Sequence, residues 1–124
     1  MAAVDRKALL REYKAARRPA GVYQVRNTVT GRIYAGITPD LPGMLNRQGF
    51  QLEMGSHPDK TLQADWNELG AGAFEIGVLE ELEQPEDPGY DPAEDLGALF
   101  ELWIERFEAD GTPLYPMVLR GRAR

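Results

Sequence analysis

The stretch GVYQVRNTVTGRIYAG, residues 21–36, decides the fold, because it has the pattern of two short β-strands joined by a polar turn. Both flanking runs are rich in valine, isoleucine and tyrosine, which favour strands, and the turn contains two threonines followed by Gly31. The pattern therefore predicts a β-hairpin. It also places one tyrosine, close to a glycine, on each strand of that hairpin.

The register of the hairpin decides whether the two tyrosines can act together. With a loop at residues 28–31, Tyr23 lies opposite Gly36 and Tyr34 lies opposite Val25. Both phenols then lie on one face as a diagonal pair, and Gly36 leaves space beside the Tyr23 ring. A shift of one residue would put them on opposite faces. Because aromatic residues are also common in strands for packing reasons alone, the pair is consistent with either a packing cluster or a shared ligand site.

The remaining patterns predict one α+β domain, a small three-stranded, largely antiparallel sheet flanked by helices. Apolar residues recur at helical spacing before the hairpin, twice after it and again near the end, and one further run alternates as a strand does. The helices are predicted at residues 5–18, 38–55, 59–70 and 93–111, and the third strand at residues 73–82.

Capping residues predict where the helices begin and end, and these boundaries are used to divide the chain into segments. Thr38 is predicted to cap the first helix after the hairpin, with Pro39 at its first position. Glycines are predicted to end both helices that follow the hairpin. We divide the chain into an N-terminal helix, a main domain and a C-terminal tail, at residues 1–19, 20–110 and 111–124.

Composition excludes several kinds of site. The chain has no cysteine, so it cannot form a disulfide or a thiolate metal site, and a single histidine excludes a multi-histidine metal site within one chain. It has no long apolar run that could span a membrane and no apolar signal core at its N-terminus, so we expect a cytoplasmic protein. Any chemistry has to use Tyr, Arg, Asp, Glu or His57.

The charge is distributed unevenly along the chain. Residues 1–60 hold ten Lys/Arg and five Asp/Glu, a net +5, whereas residues 61–124 hold four and fifteen, a net −11. Such asymmetry can orient a protein on a polyanion with its basic side inward, although solvated helix faces produce the same pattern. Residues 75–110 alone carry thirteen acidic residues against one base, Arg106.

Gly21-Val22-Tyr23, followed after about ten residues by Tyr34-Ala35-Gly36, resembles the paired motif of the GIY-YIG nuclease superfamily. The likeness to small bacterial GIY-YIG domains continues through the order of elements and covers roughly residues 20–110. It implies the fold predicted above and a metal-dependent endonuclease activity, the hydrolysis of a DNA phosphodiester with one divalent ion, Mg²⁺ or Mn²⁺. A carboxylate suits such an ion, and a guanidinium helps to neutralise phosphate charge.

The resemblance implies roles for particular residues and also shows where this chain departs from the family. Tyr23 and Tyr34 match the two motif tyrosines, and Glu101 matches the metal-binding glutamate of the last helix, where its apolar neighbours predict a partly buried carboxylate. The family arginine falls on Met44, which carries no charge. Gln48 stands near a position at which many relatives have a histidine.

Two hypotheses follow from these matches and departures. The first is a GIY-YIG-type domain that contacts DNA through Arg26, Arg32 and Arg47, with cleavage weakened or lost. An active enzyme in which Arg47 replaces the missing catalytic arginine is the alternative form of this hypothesis. The second is a non-catalytic interaction module whose acidic surface, residues 75–110, binds a basic protein partner. His57 follows the helix predicted at residues 38–55, and this position is typical of a loop or capping histidine.

Overall fold

A computed structural model describes residues 17–122, with the side chains of residues 120–122 excepted. The elements, in chain order, are β1 (Gly21–Asn27), β2 (Ile33–Thr38), α1 (Leu41–Glu53), α2 (Lys60–Leu69), a short 3₁₀ turn (Ala71–Ala73), β3 (Phe74–Glu81), α3 (Ala93–Ala109) and α4 (Pro116–Arg122). The predicted N-terminal helix falls almost wholly on residues 1–16, outside the described residues. None of the described helices is both long and apolar enough to cross a membrane.

The three strands form one antiparallel sheet in the order β2-β1-β3, with β1 in the middle. The predicted α+β fold class is confirmed. The hairpin register is confirmed as well, because Tyr23 pairs with Gly36 and Val25 pairs with Tyr34. The backbone N–H of Asn27 donates to the carbonyl of Arg32 at 2.9 Å and so closes the predicted loop.

Helices cover both faces of the sheet, and each face has its own apolar cluster. Side chains alternate along a strand, so Val25 and its partner Tyr34 lie on one face, while Ile33 and Ala35 lie on the other. The first cluster, under α1 and α2, consists of Val25, Leu52, Leu62 and Tyr115. The second, under α3 and α4, consists of Ile33, Ala35, Ile104, Phe107, Leu114 and Val118.

Helix α1 begins two residues later than the sequence predicted. Its N-cap is Asp40, whose carboxylate accepts from the backbone N–H of Gly43 at 3.2 Å, and Pro42 lies in the first turn. Thr38 is the last residue of β2, and its hydroxyl accepts from the backbone N–H of Asp40 at 3.0 Å. The prediction that Thr38 caps this helix was wrong because an aspartate two residues on makes the capping bond.

The C-terminal segment is part of the packed domain. Residues 111–124, which the sequence analysis separates as a tail, include the short helix α4, which the sequence did not predict. Leu114, Tyr115 and Val118 are all buried. Ile33 of β2 donates to the carbonyl of Pro113, and Tyr115 donates to the carbonyl of Ile33, so the segment is bonded to the edge of the sheet.

Candidate functional site

Tyr23 and Tyr34 lie together on the sheet face covered by α1. Their ring centroids are 6.4 Å apart and their planes meet at 45°. Tyr23 is buried, with 4% of its surface exposed, whereas Tyr34 is half-buried. The pair therefore has one inner phenol and one outer phenol, and the outer one is the more accessible to a ligand.

Helix α1 places Gln48 between the inner phenol and the histidine. The Gln48 amide nitrogen lies 3.5 Å from the Tyr23 hydroxyl, and its carbonyl oxygen lies 2.7 Å from Nε2 of His57. The same amide nitrogen lies 3.4 Å from the sulfur of Met44, one turn earlier on the helix. Gln48 therefore lies against the inner phenol, Met44 contacts Gln48, and both side chains are uncharged.

His57 is fully buried beside the outer phenol. Its ring meets the Tyr34 ring edge to face, with centroids 4.9 Å apart and an interplanar angle of 86°. Its Nδ1 accepts from the backbone N–H of Asp59 at 3.0 Å. Burial lowers the pKa of His57 below its ordinary value, against the opposing effect of Asp59, so the ring is neutral near pH 7.

Both phenols are held in their protonated forms. Burial is the main cause that raises the pKa of Tyr23, followed by its interaction with Tyr34, and Arg47 opposes the shift weakly. Burial also raises the pKa of Tyr34, but there the hydrogen bond with Tyr23 lowers the pKa. Neither phenol is a base near neutral pH.

The predicted basic residues are not gathered at one place. Arg47 is exposed on α1 and close enough to Tyr23 to affect its pKa. Arg26 lies on the opposite face of β1 and is 3.7 Å from Glu75. Arg32 lies over the ring of Tyr115, with its guanidinium carbon 4.7 Å from the ring centroid, and its Nε donates to the carbonyl of Leu114.

Glu101 does not have the partly buried position that its apolar neighbours predicted. It is exposed, while the sheet-facing side of α3 is formed by Leu96, Phe100, Ile104 and Phe107. The sequence prediction was wrong because Phe100 and Leu102 differ in environment, Phe100 packing against the core while 62% of Leu102 is exposed.

The resemblance implies a single carboxylate, that of Glu101, as the protein ligand of a divalent ion. Within residues 17–122 no three His, Asp or Glu side chains converge in a way that could hold a metal. Asp59, whose charge acts on Tyr34, uses both carboxylate oxygens to accept backbone N–H groups of other residues. A cation needs such oxygens for itself.

The site roles of two residues were not predicted from the sequence. His57 lies in the loop predicted for it, and its buried ring also has Nε2 2.7 Å from the carbonyl oxygen of Gln48. Lys60, the exposed first residue of α2, lies close enough to His57 to lower its pKa. The helix-starting pattern His57-Pro58-Asp59 was visible in the sequence, but nothing in it showed that this helix begins beside the hairpin.

The Gly36→Ala substitution tests the close packing of the inner phenol. A Cβ atom at position 36 would lie 2.6 Å from the Tyr23 hydroxyl oxygen, so the ring has to move. We expect a loss of about 1–3 kcal/mol in the free energy of unfolding, measured by urea denaturation. Gly77→Ala is the matched control, because a Cβ there meets no atom within 4 Å. An equal loss in both variants would contradict the packing.

Comparisons with known proteins match the chain to one group of nucleases. The catalytic domain of the homing endonuclease I-TevI is 26% identical with a TM-score of 0.58, and the match covers 76% of this chain and 94% of that one. A mutant form of the same catalytic domain is 25% identical with a TM-score of 0.57, covering 80% and 93%. The chain has the fold of a GIY-YIG catalytic domain. The predicted resemblance to the GIY-YIG nuclease superfamily is thus confirmed.

A curated relative supports the same GIY-YIG assignment over a shorter stretch. Intron-associated endonuclease 1 of Enterobacteria phage T4 is 34% identical over 68 residues, which is 55% of this chain and 27% of that protein. The chain therefore spans about a quarter of the length of this curated relative. No protein-family model matches the chain. The comparisons support a GIY-YIG nuclease-type domain.

Proposed function

We propose that this chain is a GIY-YIG nuclease-type domain that contacts DNA beside Tyr34 and Arg47, and whose phosphodiester hydrolysis is weakened or lost. The observation that carries the proposal is that uncharged Gln48 contacts Tyr23 and His57, with uncharged Met44 beside it on α1. They occupy positions where the resemblance implies a cation and a histidine. The arrangement of the two tyrosines is kept while the charged groups around it are changed.

Weak or absent hydrolysis follows from the charges that the transition state needs. Cleavage of a phosphodiester develops negative charge on several oxygens, which a metal and a guanidinium neutralise. The family implies Mg²⁺ or Mn²⁺ as the cofactor, held by one carboxylate, and no group of three or more His, Asp or Glu side chains within residues 17–122 could hold the ion in its place. The thioether of Met44 can neither carry charge nor donate to a phosphate.

DNA contact is supported by the relatives and by the cations near the outer phenol. The matched proteins are endonucleases, two of them described as intron or homing endonuclease domains. Arg47 and Lys60 stand on the two helices that follow the hairpin, and both affect the pKa of a group in the site. Tyr34 packs against both of these groups, Tyr23 and His57, so it is the place at which a DNA phosphate could meet the two cations.

Arg47→Ala tests this DNA contact. We expect it to weaken binding to a duplex several-fold and to reduce the slope of log K against log salt by about 1, because one phosphate contact is lost. Binding is measured by fluorescence anisotropy at several salt concentrations. Arg26→Ala is the matched control, since Arg26 lies on the opposite face and near Glu75. Equal effects of the two substitutions would contradict the placement of DNA at the phenol pair.

The second candidate function is a protein-binding module. All thirteen acidic residues within residues 75–110 are exposed, which favours a surface for a basic partner. An acidic surface repels DNA, so the two proposals predict different results for duplex binding at low salt. Duplex binding that is undetectable at low salt would favour the protein-binding module over the DNA-binding domain.

A further inference from the structure

An apolar groove lies where β2 ends and α3 begins, on the opposite face of the sheet from the phenol pair. Its volume is about 370 Å³, and it is lined by residues 37–39 on the β2 side and by residues 91–93 with Leu96 on the α3 side. Ile37 lies on the α3 face because it continues the alternation of the buried β2 residues that pack there. Ile37 is 38% exposed and Ala93 is exposed as well. The groove is therefore separate from the candidate site and leaves apolar surface in water.

Arg17 and Arg18, where the described part of the chain begins, lie beside this groove. The guanidinium carbon of Arg17 is 5.9 Å from the ring centroid of Tyr90, the residue directly before the α3 side of the groove. The guanidinium of Arg18 donates to the carboxylate of Asp40 at 2.9 Å, and Asp40 directly follows the β2 side. The residues before Arg17 therefore continue from a point that is held next to both sides of the groove.

Residues 5–16, which precede this point, carry an apolar stripe. Leu9, Leu10 and Tyr13 recur at helical spacing among charged residues. A helix rises about 1.5 Å per residue, so the axial distance from Leu9 to Arg17 is about 12 Å. The stripe is thus within reach of the groove without a long linker. Contact between the stripe and the groove removes both apolar surfaces from water, which favours their association.

The charges beside the stripe and beside the groove are opposite in sign. Residues 1–16 carry four Lys/Arg and two Asp/Glu, a net +2. Residues 86–95, which lead into α3 and include most of the α3 side of the groove, carry five acidic residues and no base, and all five acids are exposed. Complementary charges around an apolar contact guide the two surfaces together and help to fix their register. An acidic segment would be repelled from the same groove.

We propose that residues 5–16 of this chain occupy the groove, with their apolar stripe against Ile37 and Ala93. The connection through Arg17 gives the segment an effective concentration on the order of mM at the groove, which a separate partner reaches only when its bulk concentration is as high. The segment then belongs to the packed domain, and it covers part of the acidic surface that a basic protein partner would use. This docking does not depend on DNA binding or on cleavage.

Disulfide formation tests this contact, because the chain has no cysteine of its own. We expect Leu10→Cys with Ala93→Cys to form a disulfide within one chain. Arg11→Cys with Ala93→Cys is expected to do so at least about tenfold more slowly, because position 11 lies on the opposite side of a helix from the stripe. Both full-chain variants are oxidised at low protein concentration, and the rates are measured by mass spectrometry. Equal rates would overturn the proposal, and so would a disulfide-linked dimer, in which a second copy supplies the segment.

The isoleucine methyl signals provide a second test that reports on folding at the same time. The chain has four isoleucines, of which Ile37 lines the groove and Ile76 packs on the other face of the sheet. In ¹³C-methyl spectra of the full chain, we expect Leu10→Asp to shift the Ile37 signal and to leave the Ile76 signal in place. Arg11→Asp is the matched control, expected to leave both signals in place. An unchanged Ile37 signal in Leu10→Asp, or equal changes at Ile37 and Ile76, would overturn the proposal.

Discussion

Asp59→Ala is expected to lower the free energy of unfolding by about 2–4 kcal/mol, because three buried or half-buried N–H groups lose their acceptor together. These donors belong to Thr61 and Leu62 at the start of α2 and to Met117 in α4. Asp59 thus connects the C-terminal segment to the beginning of α2. The loss is measured by urea denaturation followed by circular dichroism.

Asp59→Asn is the control that separates the two roles of this carboxylate. An asparagine can still cap α2 through its amide oxygen, but its NH₂ group cannot accept from Met117. We expect a loss of roughly half that of the alanine variant. A loss below about 0.5 kcal/mol in Asp59→Ala, the range of ordinary surface substitutions, would show that Asp59 does not hold the two helices together.

Cleavage by this chain in Mg²⁺ or Mn²⁺ is expected to be at least about 10²-fold slower than cleavage by the catalytic domain of I-TevI assayed in parallel. The expected reduction in rate follows from the loss of one preorganised charged donor at position 44, because such a loss typically slows a reaction by about 10²–10³. The raised pKa values of both tyrosines act in the same direction, because a phenol that keeps its proton is a poor base. Initial rates on one supercoiled plasmid provide the measurement.

Arg47 is the residue that could make this expectation wrong, because it is a cation beside Tyr23. Arg47 is exposed and lies three residues after Met44, about one helical turn further along α1. An active chain that loses its cleavage in Arg47→Ala would show that the charge has moved along α1 rather than disappeared. Met44→Ala is the matched control, which we expect to leave any such cleavage intact.

The hairpin and its register could be predicted because local rules determine them. A two-residue alternation and a short polar turn allow few pairings, and the register with Tyr23 opposite Gly36 is the one that forms. The same register correctly placed both phenols on one face. Glycines at the helix ends were equally predictable, since Gly55 and Gly70 have positive φ angles of 74° and 86°.

The rest of the site depends on contacts between segments far apart in the chain. His57 joins the site because α2 begins beside the hairpin, and Asp59 matters because it meets Met117, 58 residues later. Spacing alone assigned Glu101 a partly buried position, whereas the packing of Phe100 leaves Glu101 exposed. Such placements depend on which face each helix buries, and local patterns do not determine that choice uniquely.

The most direct test of the account compares DNA binding and DNA cleavage by the same purified protein, with Mg²⁺ or Mn²⁺, beside Tyr23→Phe and Glu101→Ala. We expect salt-dependent binding by the parent chain and no cleavage above the level of the two variants. Robust cleavage by the parent that disappears in both variants would contradict it, because the two tyrosines and Glu101 would then form a working metal-dependent site.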